Sequence, residues 1–525
     1  MAEDVYLLGI DNGTTVTKAA LFDLEGREVA VGSREVAVRH PEAGWAEQSM
    51  EEIWEATVAA VRQCLAEAQI HPEAIQGISL SGHGGGVWLI GAQGQPLHDA
   101  IIWLDGRAKP YLDRWEAEGK LDELYDECGW RLFPGIGACT IFPWLMDHHP
   151  ELLEQAAYNL WSKDWVKFRL TGELNTDQTM ASIAHMNYET GSYSQRVLEL
   201  TGIEGYRHLF PPIVPSWEIA GRVTAEAAAQ TGLAEGTPVA SGAWDGASST
   251  LGAGAIAAGE AATVIGTAGI HAIVSAAPQK DPERIYSLMY HTVPDHWLKN
   301  SLTMLAAGNF NWFLETFCLA EKETAAERGV SVYQVVDEEV ASVPVGAGGV
   351  LYLPFLQGER APFVKPEARG VFFGLGDWHG RPHLLRAIFE GVALSTRDNY
   401  QAMQAHPEPT RGKGQPLATT YLTGGGSRSP VWCQILADCT GNTMRVPEGV
   451  ELGARGAAIN AGVAAGIFRD HAEAVARMVR IEREYTPDPQ RAERYARLYE
   501  LYRELIQASW NLWERLWALD VANWA

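Results

Sequence analysis

The stretch VYLLGIDNGTTVTKAALFD, residues 5–23, runs from an apolar segment through a polar turn into a second apolar segment. Two strands joined at Asn12-Gly13 are the expected local fold, because that pair suits a tight two-residue hairpin loop. A turn needs neither hydroxyls nor a cation, yet Asp11, Thr14, Thr15 and Lys18 crowd this one. Backbone N–H groups of a glycine turn, flanked by hydroxyls and a lysine, are suited to phosphate oxygens.

Outward from this turn, REVAVGSREVAV (27–38) continues an antiparallel meander, and IQGISL (75–80) adds a strand after a helix. That helix is predicted from the capping box of Ser49 and Glu52, with Ile53, Trp54, Val58, Val61 and Leu65 on one face. Residues 111–215 read as a helical, tryptophan-rich insertion broken at FPGIG and FPPIVP. A second round of strand, Gly-Thr turn and strand follows in GEAATVIGTAGIHAIVSAA (259–277), so the chain carries a weak internal duplication. The C-terminal segment places Tyr495, Leu498, Tyr502, Leu505, Leu512 and Leu516 at helical spacing. Trp510, Trp513 and Trp517 widen that stripe, which docks on the body and leaves a homodimer contact open.

At 525 residues the chain exceeds one core and implies more than one domain. The net charge of −25 argues against nucleic acid or an anionic membrane as partner, so an anionic cofactor needs local positive groups. No apolar run approaches the roughly 18–20 residues of a membrane span, and MAEDVYLLGI has no basic start or cleavage site, so a cytoplasmic location is expected. The six cysteines contain no CxxC pair and read as reduced, buried thiols.

Two further constellations carry chemistry. LTGGGSRSPVWCQILADCTG (422–441) leaves a strand through three glycines into a helix opened by Ser429 and Pro430. It reads either as a plain strand-to-helix connection or as close backbone approach to a flat ligand or phosphate. Asp245, in SGAWDGASST (241–250), follows an apolar strand among small residues. Either it caps a helix, or it is the base that phosphoryl transfer to a hydroxyl requires beside Mg²⁺.

In order along most of the chain, GIDNGTTVTKAALFD (9–23), GAWDG (242–246), VIGTAG (264–269), GVFFGLGDWHGRPHLLRAIFE (370–390) and the 422–441 segment resemble the serial motifs of the FGGY carbohydrate kinases. The resemblance implies an α/β fold of two ribonuclease-H-like, actin-like ATPase domains. Each would hold a mixed five-stranded sheet flanked by helices, with a cleft between them. The implied division is an N-terminal domain over 1–250, a C-terminal nucleotide domain over 251–480 and a helical extension over 481–525.

It also implies ATP and Mg²⁺ as cofactors. Asp245 would be the base, and Asp11 and Asp245 would lie at the metal. Asn12, Gly13, Thr14, Thr15 and Lys18 would surround the phosphates, joined by Gly266 and Thr267 from the opposite domain, while Gly424, Gly425, Gly426 and Ser427 would face the adenosine.

The loop SGHGGGVWLI (81–90) corresponds to the family's sugar-contacting loop. Gly82 and His83, with Trp103 and Asp105 of WLDGRA and with Asp245, would form the substrate wall. His83 falls where xylulose kinases carry a histidine, whereas Gly82 replaces their neighbouring methionine. The expected reaction is phosphorylation of a small sugar, a xylulose-type ketopentose first and an erythritol-type polyol second. An actin-like sensor without turnover is the alternative of another class.

Overall fold

The computed structural model describes residues 5–405 and 417–519. The chain forms two compact units, one of Met1–Ile256, Ala276–Leu298 and Glu448–Arg480, the other of Ala257–Ser275, Lys299–Pro447 and Ile481–Ala525. The segment 448–480, assigned from sequence to the C-terminal domain, therefore packs within the first unit.

In the first unit β1 (Tyr6–Asn12), β2 (Val16–Asp23) and β3 (Glu28–Glu35) form an antiparallel meander. β4 (Ile75–Gly82) runs parallel to β1. β5 (Ile219–Arg222), β6 (Pro238–Ala240) and the short β7 (Ala243–Trp244) complete the sheet, in the order β5-β6-β4-β1-β2-β3 with β7 also on β4. The expected five strands are β3-β2-β1-β4-β6; the edge strand β5 and the two-residue β7 enlarge the sheet to seven.

The sheet is covered on both faces, as its mixed topology requires. Leu8 and Ile10 of β1 join the core of helix Met50–Ala68, while Leu7 joins Ala454, Ala458 and Ile459 of helix Leu452–Ala464. Ser49 caps the first of these helices by accepting from the Glu52 N–H at 3.3 Å, and Ile53, Trp54 and Val61 are buried. The second lies so close that a Cβ on Gly9 would stand 1.8 Å from the Ala454 carbonyl oxygen.

The β1–β2 connection differs from the two-residue hairpin expected. Asn12 pairs with Thr17, the Gly13 N–H donates to the Val16 carbonyl at 3.1 Å, and neither Asn12 nor Gly13 has a positive φ. Glycine is needed for room, since a Cβ at Gly13 would meet the Val16 oxygen at 2.9 Å.

The second unit repeats the plan. β8 (Glu260–Ile265) and β9 (Gly269–Ser275) form the hairpin, and the sheet runs β10 (Trp297–Thr303), β9, β8, β11 (Thr419–Thr423), β12 (Met444–Pro447), β13 (Ile481–Tyr485), again beyond five strands. β8, β11 and β12 are mutually parallel along this order.

The terminal helix Pro489–Ala518 docks through Tyr495, Tyr499, Tyr502, Ile506 and Trp513. Leu512 and Leu516, expected in this stripe, are exposed. Leu512 lies beside Trp513, off the alternating three- and four-residue steps by which the buried positions stay on one face, whereas Leu516 continues those steps beyond Trp513, the last buried residue of the helix. Among the described residues no helix is long and apolar enough to cross a membrane, and all six cysteines are free and buried.

Gly9→Ala is expected to lower the unfolding free energy by about 1–3 kcal/mol through overpacking. Urea titration checks this against Gly205→Ala, where a Cβ meets nothing within 4 Å and stability should barely change.

Candidate active site

The carboxyl ends of three parallel strands converge in the first unit. Asp11 of β1 is level with Ser81 of β4, and Ser81 is level with Ala243 of β7; Asn12, Gly82 and Trp244 form the next row. Asp11, His83 and Asp245 consequently emerge at the carboxyl ends of these strands, where open α/β sheets bind ligands. The Ser81 hydroxyl donates to Asp11 Oδ1 at 2.7 Å, and the His83 N–H donates to the Asn12 carbonyl at 3.1 Å.

Asp245 is the first residue of helix Asp245–Ala253, so the cap position falls on Trp244, whose side chain makes no capping bond. Surrounding protein desolvates the carboxyl and pushes its pKa up to about 7, with the negative charge of Asp11 adding to the shift and the Gly246 N–H opposing it. Asp11 is also raised, chiefly by burial, against the opposing Ser81 hydrogen bond and Lys18 charge. Two carboxylates near each other, poorly solvated, make a proton acceptor that works near neutrality.

Lys18 sits across from Asp11 in the β1–β2 ladder. Its ammonium donates to both carboxylate oxygens of Glu451, at 3.0 and 2.9 Å. Glu451 immediately precedes helix Leu452–Ala464, whose Gly453 leaves only 2.6 Å between a notional Cβ and Asp11 Oδ2. Neither residue is suggested by the sequence around the first turn. The small-residue run GARGAA was the available signal, since it marks a helix built for close backbone approach.

Thr15 is exposed, and Thr14 Oγ1 accepts from the Trp103 indole N–H at 2.9 Å. The Asn12 side chain departs from expectation: it is buried and donates to Thr57 at 3.2 Å and Thr17 at 3.4 Å. Turned into the core, its side-chain amide is unavailable to a phosphate, while its main-chain carbonyl holds the His83 N–H.

On the expected substrate wall, His83 is 4% exposed and its Nδ1 has no hydrogen-bond partner. Burial lowers its pKa to about 4, so the imidazole is neutral at pH 7. Gly82 abuts Ser162 and Lys163, and a Cβ at Gly84 would strike Ile183 and Trp244. Trp103 is partly exposed beside Gly85. Asp105 is 2% exposed and saturated: Oδ1 accepts from the Arg107 N–H and Nε, and Oδ2 from the Ala46 N–H and Arg107 Nη2. With four bonds already made, it has no acceptor left for a hydroxyl.

In the second unit the Gly266–Thr267 turn follows β8 and the Gly424–Ser427 turn follows the adjacent parallel β11. The turns meet, since Cβ atoms on Gly424 and Gly426 would approach Ile265 to 2.8 and 2.4 Å. Thr267 is exposed, and its carbonyl is held by the N–H groups of Ala306 and Gly308. Gly424 has φ 83°, which favours glycine, and Ser427 Oγ donates to its carbonyl at 2.8 Å. Ser429 caps the following helix, accepting from the Trp432 N–H.

Among the described residues no group of three or more His, Cys, Asp or Glu side chains could hold a metal ion. Asp11 and Asp245 offer two carboxylates, and Asp11 Oδ1 alone is engaged by a side chain, with Ser81. That donor set suits a Mg²⁺ brought with nucleotide phosphates, which takes one or two carboxylates from protein.

Residues 6–252 match the N-terminal domain of the FGGY family of carbohydrate kinases, and residues 261–465 match its C-terminal domain. The chain is 32% identical to a probable L-xylulose kinase of Pasteurella multocida, over 96% of this chain and 99% of that relative. It is 33% identical to an erythritol kinase of Brucella abortus, over 97% of each. The structure of a xylulose kinase from Rhodospirillum rubrum is similar with a TM-score of 0.85 at 30% identity, covering 97% of this chain and all of that one.

The raised carboxyl of Asp245 has a consequence for stability. Because the folded state holds this proton more tightly than the unfolded chain, its contribution is present below about pH 4 and lost as pH rises toward 7. Asp245→Asn is therefore expected to gain stability over the parent as pH rises through that window. Thermal melts of metal- and nucleotide-free protein at pH 4.5 and 8 check the sign.

Proposed function

This chain belongs to the FGGY family of carbohydrate kinases, and from that premise we propose that it transfers the terminal phosphoryl group of ATP to a hydroxyl of a xylulose-type ketopentose. Kinases of this family use ATP, and the chain is itself a carbohydrate kinase. The observation that carries the choice of sugar is His83, a buried neutral imidazole with an unpartnered Nδ1 that, like Asp245, directly follows the paired Gly82–Trp244 row. A buried unpaired nitrogen is costly, and a substrate oxygen relieves that cost. Neutral imidazole either donates to a carbonyl or accepts from a hydroxyl.

Asp245 takes the proton of the attacking hydroxyl as its oxygen bonds to the terminal phosphorus and the bond to the ADP oxygen breaks. Mg²⁺ bound with the nucleotide would neutralise phosphate charge, held by Asp11 and Asp245. Lys18 and the hydroxyls of Thr14 and Thr15, with backbone N–H groups of the Gly13 turn, contact the terminal phosphates. Gly266, Thr267 and the Gly424–Ser427 turn contribute the second unit's nucleotide contacts. Trp103 closes the sugar wall, and Asp105 supports it from behind through Arg107 and Ala46 rather than touching substrate. A second reading, an erythritol-type polyol, is favoured by the similarity to the Brucella abortus enzyme.

Asp245→Asn is expected to lower kcat by about 10²–10⁴ while ATP affinity is nearly kept. In the wild type kcat should fall on the acid side of its optimum, because only the ionised carboxylate accepts a proton. Steady-state rates across pH check both; a wild-type rate in the variant removes Asp245 from the chemistry.

ATP consumption against D-xylulose, L-xylulose, erythritol and other small ketoses and polyols tests the substrate. A xylulose is expected to lead, and His83→Ala to cost about 5- to 150-fold in its kcat/KM, with a smaller loss for polyols. Turnover of erythritol with neither xylulose accepted would establish the polyol reading instead.

A further inference from the structure

Beneath the same strand ends lies a cluster of four charged side chains with no solvent exposure. Lys163, Asp164 and Lys167 belong to helix Ser162–Thr171, and Asp177 precedes the short helix Gln178–Ala181. Lys163 Nζ is 2.6 Å from Asp164 Oδ1 and 3.0 Å from Asp177 Oδ1, and Lys167 Nζ is 2.9 Å from Asp164 Oδ1. Hydroxyls complete the carboxylates: Thr176 donates to Asp164 at 2.6 Å and Ser216 to Asp177 at 2.7 Å. Two lysines and two aspartates balance in charge. Buried ion clusters are nevertheless poor stabilisers compared with apolar packing of the same volume, so stability alone does not account for this one.

Its outgoing hydrogen bonds converge on the segment that carries Asp245. Both lysines donate to the Ser241 carbonyl, at 3.1 and 3.4 Å. Asp177 accepts from the Thr179 N–H at 2.7 Å, and Thr179 Oγ1 in turn accepts from the Trp244 N–H at 2.8 Å. Residues 241 and 244 are thereby tied to one rigid body immediately before Asp245. The neighbouring Ser162 hydroxyl donates to the His83 carbonyl at 2.8 Å, so the same body also holds the histidine loop.

We propose that Thr179, fixed by Asp177 and the buried cluster, is a positioning residue that aims the Asp245 carboxylate by holding the Trp244 N–H. The inference rests on the reading of Asp245 as the base. Displacing a base by about 1 Å costs on the order of 10²-fold without weakening substrate binding in proportion, which gives the role a kinetic signature.

Thr179→Val keeps the side-chain shape and removes the acceptor, whereas Thr179→Ser keeps the acceptor. With the best substrate of the wild type, Thr179→Val is expected to lower kcat about 10- to 100-fold with sugar KM within about threefold, and Thr179→Ser to recover kcat to within about threefold of wild type. If the valine variant does not fold, Thr179→Ala takes its place with the same expectation. An unchanged kcat, a KM rise that accounts for the whole loss, or a serine variant no better than its partner overturns the proposal. Asp245→Asn is measured alongside. Full activity there defeats the reading of Asp245 whatever Thr179 does, while an inactive Asp245→Asn beside a fully active Thr179→Val defeats the positioning role alone.

Discussion

No methyl group fits between Gly9 of the first strand and the backbone of helix Leu452–Ala464. The rest of the candidate site in the first unit depends on this contact of main chain on main chain. It brings Gly453 against the Asp11 carboxylate and Glu451 onto the Lys18 ammonium. Gly252 and Gly456 repeat the contact with helix Asp245–Ala253, where a Cβ would stand 2.0 and 1.9 Å from carbonyl oxygens. Both acids that the proposed chemistry uses are thus held by glycine-mediated packing of rigid elements, which is more exact than a loop would be.

The electrostatics follow from that closeness. Burial, with the charge of Glu451 on Asp11 and of Asp11 on Asp245, favours the protonated form of both aspartates, and Lys18 opposes this at Asp11. A chain of net charge −25 is an unpromising host for nucleotide phosphates. Under the proposed function, backbone N–H groups and hydroxyls of the glycine turns would meet this locally, since they bring no negative charge of their own. Under the proposed function the Lys18 ammonium, paired with Glu451, would trade or share partners when a phosphate arrives.

Much of the fold was legible because its signals are local. The hairpin at residues 5–23, its repeat at 259–277, the Ser49 cap and the Ser429–Pro430 helix start all rest on neighbours a few positions apart. What misled was equally local. Asn12-Gly13 has the composition of a two-residue turn, but the buried amide of Asn12 bonds to Thr57 on a helix, and that long-range contact outweighed turn preference. Leu512 fits a helical period, yet the face that docks is chosen by what lies beneath it, and Trp513 took that place.

By itself the sequence determined the alternation of strands and helices, the duplicated glycine turns, and the residue types Asp11, Lys18, His83 and Asp245, because each is a property of adjacent residues. Tertiary structure alone decided that Lys18 meets Glu451, 433 positions away, and that Trp244 meets Thr179, 65 positions away. It also decided that Asp105 is saturated by Arg107 and the Ala46 N–H, and that Nδ1 of His83 is buried without a partner. Hydrogen bonds and desolvation act through distance in space, and separation along the chain carries no information about either until helix and sheet are packed.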